Sequence, residues 1–93
     1  MTITHQESGS KGSFRMVQEA QLLAEMTYSK AGEQLIIIDH TDVEEAQKGK
    51  GLGQQLVMAA VDFARDKGIK ILPLCPFANS VFQKTPEIAD VLN

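Results

Sequence analysis

The polar and apolar positions alternate early in the chain and shift to a helical period later. Phe14 and Met16 alternate with Arg15 and Val17, which predicts a short strand that extends to about Gln18. From Gln21 to Ser29, Ala24, Met26 and Tyr28 alternate with Glu25, Thr27 and Ser29, the pattern of a half-buried strand. Glu19 to Glu25 also reads as one or two helical turns. The β character of Met26-Thr27-Tyr28-Ser29 and the turn pair Ala31-Gly32 favour the strand. Glu33 to Thr41 holds the aliphatic run Leu35-Ile36-Ile37-Ile38, which suits a central strand covered on both faces. The short links predict antiparallel hairpins between these three strands.

The period changes after an acidic, loop-like Asp42 to Gln47. From Leu52 to Lys67 the residues Leu56, Ala59, Ala60, Phe63 and Ala64 fall on one helical stripe, and Gly68 is a natural residue to follow the C-cap. Ile69 to Leu74 is a short apolar strand. A strand–helix–strand unit of this length predicts a right-handed crossover with that strand parallel to Leu35–Ile38. Ala78 to Lys84 reads as a short helix anchored by Val81 and Phe82. Another piece begins at Thr85, with Pro86 at the first helical position and Glu87 behind it. The result is β-β-β-α-β-α, an α/β (α+β) architecture: an antiparallel meander, one crossover to a parallel fourth strand, and short C-terminal helices. Residues 1–12 are polar, with Gly9 and Gly12, and are expected to be loosely ordered; 13–93 form the single domain.

Composition narrows the function classes. The chain has 93 residues, 43% hydrophobic and 23% charged, with a formal net charge of −3, ordinary for a soluble domain and unlike a nucleic-acid binder. Cys75 is the single cysteine, so no intrachain disulfide forms. No leader-like apolar segment opens the chain, and no apolar run approaches the roughly 20 residues of a membrane helix. A cytoplasmic location without membrane or nucleic-acid partners is the expectation. Two histidines, His5 and His40, and one cysteine give no metal-ligand spacing.

Lys48-Gly49-Lys50-Gly51-Leu52-Gly53 lies between the central strand and the long helix. Glycines there let an anion approach the backbone N–H groups, and the lysines add charge where the helix dipole is positive. This predicts a pyrophosphate cradle. The P-loop pattern fails, because no lysine followed by a hydroxyl residue lies here, and the Rossmann pattern fails by one residue in its last gap. A surface loop without a ligand is the bland alternative.

Lys48-x-x-Gly51-x-Gly53, with Val43 five residues upstream, resembles the cofactor loop of the GCN5-related N-acetyltransferases (GNAT), with Lys in place of Gln or Arg. Asp39-His40-Thr41-Asp42-Val43 and Leu74-Cys75-Pro76-Phe77-Ala78, with Phe82 and Pro86-Glu87, are similar to a small single-domain subfamily. The likeness runs from about Phe14 to the C-terminus. It implies a GNAT-like fold and acetyl-CoA or CoA as cofactor, with no helices over the acceptor side. It also implies transfer of an acetyl group to an amine of unknown identity, a small molecule or a protein or peptide amine. A non-catalytic CoA-binding module is the alternative, and a generic nucleotide- or phosphate-binding protein is a third.

The expected cofactor-binding residues are Thr41, Val43, Lys48, Gly49, Lys50, Gly51, Leu52, Gly53, Asn79 and Phe82. Backbone N–H groups near Thr41 to Val43 would polarise the thioester carbonyl. His40 is a candidate general base, or a solvated strand-end histidine; simple alternation would put it on the face of Ile36 and Ile38. Cys75, which the resemblance makes the candidate active residue, is a nucleophile, a proton donor to the leaving thiolate, or a small buried hydrophobe. Asp42, Glu44 and Glu45 would attract a cationic acceptor or simply form a solvated loop.

Overall fold

A computed structural model describes residues 1–93. Five strands form one sheet in the order β1-β2-β3-β4-β5: Thr2–Ser8, Lys11–Gln18, Gln21–Lys30, Leu35–Val43 and Lys70–Pro73. The first four are antiparallel neighbours, and β4 and β5 are parallel from Leu35↔Lys70 to Ile38↔Pro73. Helix α1 (Leu52–Lys67) makes the crossover, α2 (Pro76–Lys84) follows β5, and a 3₁₀ segment covers Pro86–Val91.

Helix α1 has the predicted limits because both ends are glycines in the left-handed region, Gly51 at φ 78° and Gly68 at φ 70°. Its Leu56, Val57, Ala60, Val61 and Ala64 are fully buried against Met16, Met26, Tyr28, Ile36, Ile38 and Ile71 from the sheet. The C-terminal segment is held to α1 by Arg65, which meets both carboxylate oxygens of Asp90 (3.0 and 2.7 Å) and the Glu87 carbonyl (2.8 Å).

Two expectations need correction. The first concerns residues 1–12: they form β1 and the start of β2, so the sheet has five strands rather than four. Every residue of β1 is exposed by pattern, which hides the strand from hydrophobic periodicity. It is held by one partner strand and by Tyr28, whose ring crosses β2 over Gly12. A Cβ on Gly12 would collide with that ring. The hydroxyl donates to Glu7 Oε2 (2.5 Å), so the His5 Nε2–H donates to the Tyr28 oxygen (2.6 Å). Lys30 closes the group on Glu7 at 2.9 Å, and the His5 ring stacks on Phe14 at 4.1 Å.

The second correction concerns β4. Tyr28 pairs with Ile38 but Thr27 pairs with His40, so Asp39 is an extra residue, a β-bulge. The bulge reverses the alternation. Ile36 and Ile38 face α1, and beyond Asp39 it is Thr41 and Val43 that turn inward, while His40 is exposed.

Candidate functional site

The bulge and the short β5 together open the sheet. Pairing of β4 with β5 stops at Ile38↔Pro73, while β4 continues to Val43. The Cys75 N–H still donates to the Ile38 carbonyl (3.1 Å), and α2 then departs at Pro76. The β4 edge from Asp39 to Val43 therefore faces an opening, with its other side paired to β3.

A groove of about 480 Å³ lies at this opening, walled by Thr41–Val43, Gln47–Gly49, Gly51–Gln54 and Phe77. The N–H groups of Gly49 through Gln54 have no backbone acceptor, and no side chain caps α1. Nothing lies within 4 Å of the Cβ position of Gly49 or Gly51. At Gly53 the space is taken: a Cβ would sit 2.7 Å from the Phe77 ring, so this glycine lets α2 close on α1. Helix dipole, free donors and open space fit an anion with no further group required.

The expected site residues divide. Thr41, Val43, Lys48, Gly49, Gly51, Leu52 and Gly53 all line the groove. Lys50 does not; its ammonium donates to Gln47 at 3.3 Å. Lys48 lines it while paired with Glu45 at 3.2 Å. Asn79 is exposed on α2 outside the groove lining, and Phe82 is a core residue rather than a groove wall. Asp42, Gln47, Gln54 and Phe77 line the groove without having been expected there. Phe77 belongs to the Leu74–Ala78 segment, and its place two residues after the cysteine that caps α2 is the signal in the sequence.

Cys75 is 5% exposed at the apex between β5 and α2, and its thiol donates to Thr41 Oγ1 at 3.4 Å. This contact exists because the bulge turned Thr41 inward. No histidine or carboxylate is bonded to Cys75, and His40, on the opposite face of β4, makes no side-chain hydrogen bond. Asp42 is exposed; Glu44 accepts from Gln21 (2.9 Å) and Glu45 from Lys48, so the acidic residues are a solvated rim. No cluster of His, Cys, Asp or Glu could hold a metal ion. No helix is long and apolar enough to cross a membrane.

Comparison with known proteins bears on this geometry. Residues 13–91 match the family described as GCN5-related N-acetyl-transferase. Protein NATD1 from Gallus gallus and from Homo sapiens is 27% identical to the chain over 63 residues. That span is 68% of this chain and 57% or 56% of the relative. A GCN5-like protein of Staphylococcus aureus, solved in solution, superposes with a TM-score of 0.74 at 33% identity, covering 97% of this chain and 87% of that one. The ribosomal-protein-alanine N-acetyltransferase of Brucella melitensis shares the fold, with a TM-score of 0.71 at 15% identity over 83% of this chain and 62% of that one.

Proposed function

The chain belongs to the GCN5-related N-acetyltransferase family, and on that premise we propose that it uses acetyl-CoA to acetylate an amine. The observation that carries this reading is the row of unaccepted N–H groups from Gly49 to Gln54, set beside the open edge of β4. The cradle fits the pyrophosphate of CoA, and the strand edge offers backbone partners to the amides of the pantetheine arm. Acetyl-CoA supplies the acyl group as its thioester.

The chain's own part is positioning and proton supply. Free backbone N–H groups near Thr41 to Val43 would face the carbonyl oxygen as it gains negative charge. The amine nitrogen attacks the carbonyl carbon, the carbon–sulfur bond breaks, and the departing thiolate takes a proton. In this reading Cys75, bonded to the groove-lining Thr41 and without a bonded base to prepare it as a nucleophile, would give that proton and regain one from water. Direct transfer is therefore favoured over an acetyl-Cys75 intermediate. The amine proton passes to water, since His40 lies on the other face of β4.

The test incubates the protein with acetyl-CoA and mixtures of small amines, polyamines and peptides, and measures release of free CoA thiol. Amine-dependent thiol release supports the reading. Binding of CoA without release for any amine class would favour the non-catalytic module, which the near-complete burial of Cys75 would also suit. In the same assay Cys75→Ala slows direct transfer but leaves it measurable. Stable radiolabel on the wild-type protein, lost in Cys75→Ala, would overturn direct transfer in favour of the covalent route.

A further inference from the structure

The face of the sheet turned away from α1 carries a hollow of its own. On β2, Phe14 and Met16 belong to the core under α1, so Lys11, Ser13 and Arg15 project to the other side. They line a shallow dish of about 540 Å³ with no hydrophobic residue in its wall, and none of its residues lines the groove beside α1. Ser13 is the one buried polar residue of the chain, 9% exposed. Its hydroxyl has no hydrogen-bond partner in the protein and is not sealed off, because it opens into the dish. Lys11 donates once, to Ser29 Oγ at 2.7 Å, with Asp39 3.8 Å away. Arg15 uses only its Nε–H, on Glu25 Oε2 at 2.6 Å, so both terminal amino groups of the guanidinium are free. The carboxylates of the wall are engaged, Glu25 by Arg15 and Glu7 by Tyr28 and Lys30. The uncommitted bonding capacity of the dish is therefore mostly that of donors.

From this arrangement we infer that the dish is a binding site for a phosphate group, separate from the groove at the start of α1. Lys11 and Arg15 stand two positions to either side of Ser13, each about 7 Å away along the strand. Both side chains are long enough to lean over the short serine. A tetrahedral oxyanion above Ser13 then meets a hydroxyl from below and a cation from each side. An apolar ligand has nothing to bury against here, and a cationic one would face two cations beside carboxylates already engaged. The dish is larger than one phosphate, and Gln6, Ser8 and Thr27 line the remainder with neutral hydrogen-bonding groups. The phosphate is thus free or the monoester of a small hydroxylated molecule, held in either case by Lys11, Ser13 and Arg15.

The test titrates inorganic phosphate, glycerol phosphate and glycerol into isotope-labelled protein at constant ionic strength and follows the backbone amide resonances. Saturable shifts at Ser13, Arg15 and Thr27 are expected with both phosphates and not with glycerol. Ser13→Ala should weaken phosphate binding there by about fivefold, the value of one hydrogen bond to a charged ligand in an open site. Glu25→Gln should tighten it by about threefold, because it releases Arg15 and removes a like charge; a merely structural role for this pair predicts no gain. Tighter binding of glycerol phosphate than of phosphate assigns a monoester, and equal binding assigns free phosphate; both support the site. Shifts confined to Gly49–Gln54 would overturn the dish while leaving the groove reading in place. Shifts at Ser13 that never saturate, that glycerol reproduces, or that Ser13→Ala and Glu25→Gln both leave unchanged would also overturn it.

Discussion

The two ends of α1 face opposite situations. At its C-terminal end, near Phe63, polar groups are paired off: His5 with Tyr28, Tyr28 with Glu7, Glu7 with Lys30. Aromatic rings from Phe14, Tyr28 and Phe63 pack around the imidazole. At its N-terminal end the N–H groups from Gly49 to Gln54 have no backbone acceptor, and all of these residues but Lys50 line the groove. Water can satisfy such donors at an exposed helix start, and in the proposed reading a ligand takes its place. One end secures the chain terminus to the sheet, and the other holds its bonding capacity in reserve. Damage at the first should cost stability and spare binding; damage at the second should do the reverse.

The largest separation of the two should come from Gly12→Val. The new side chain collides with Tyr28 and expels the hydroxyl from its contacts. Overpacking against the buried Tyr28 ring, with loss of its part-buried hydrogen bonds, should cost about 2–3 kcal/mol. That lowers the melting temperature by about 10–20 °C in a domain this size. Acetyl-CoA affinity, measured well below the transition, should stay within about twofold of wild type. Loss of affinity at a temperature where the variant is folded would mean the two ends are coupled.

Gly51→Val is the mirror experiment. A branched residue at φ 78° carries about 1–2 kcal/mol of backbone strain and places carbon beside the free donors. Calorimetry should show acetyl-CoA affinity reduced by tenfold or more, with a smaller loss of melting temperature than in Gly12→Val. Unchanged affinity would remove Gly51 from the cradle.

Acid should act on the first end. Burial is the main cause that pulls His5 below its ordinary value of 6.5; Lys30 acts in the same sense and Glu7 opposes both. The unfolded chain thus takes up this proton more readily than the folded one. Stability is complete above about pH 6.5 and falls as pH drops through the folded value. Glu7 is held below its ordinary 4.5 first by the hydrogen bond from Tyr28 and then by Lys30, so its contribution is lost in a second, more acidic step. Denaturant melts between pH 7.5 and 5 should show declining stability, and His5→Phe should flatten that decline. An unaltered decline in His5→Phe would assign it elsewhere.

The smallest effect should come from His40→Gln. Because the bulge turns this side chain away from the groove, the rate of thiol release should change by less than about threefold. A loss of a hundredfold would restore it as the general base.

These contrasts also show what was legible in the residues. Helix α1 was readable to its ends because its stripe and its flanking glycine are local properties. The glycine loop ahead of it was readable for a similar reason, since glycines and a helix start are adjacent in the chain. Strand β1 was not, because it buries nothing of its own and depends on a notch at Gly12 and on Tyr28, distant in sequence. The face of His40 was not legible either: Asp39 looks like any strand residue, and only its pairing with β3 makes it a bulge. The partnership of Cys75 and Thr41 follows from that bulge and was hidden with it.

The central claim is that the free donors at the start of α1 hold a CoA. Thermal unfolding of the wild-type protein with acetyl-CoA, CoA, ATP and NAD, each in turn, tests it most directly. A ligand at a hundred times its Kd adds about 2.7 kcal/mol, a rise of about 10 °C or more here. That rise is expected with acetyl-CoA and CoA and not with ATP or NAD. No rise with either CoA species at high concentration, or an equal rise with ATP, would contradict it.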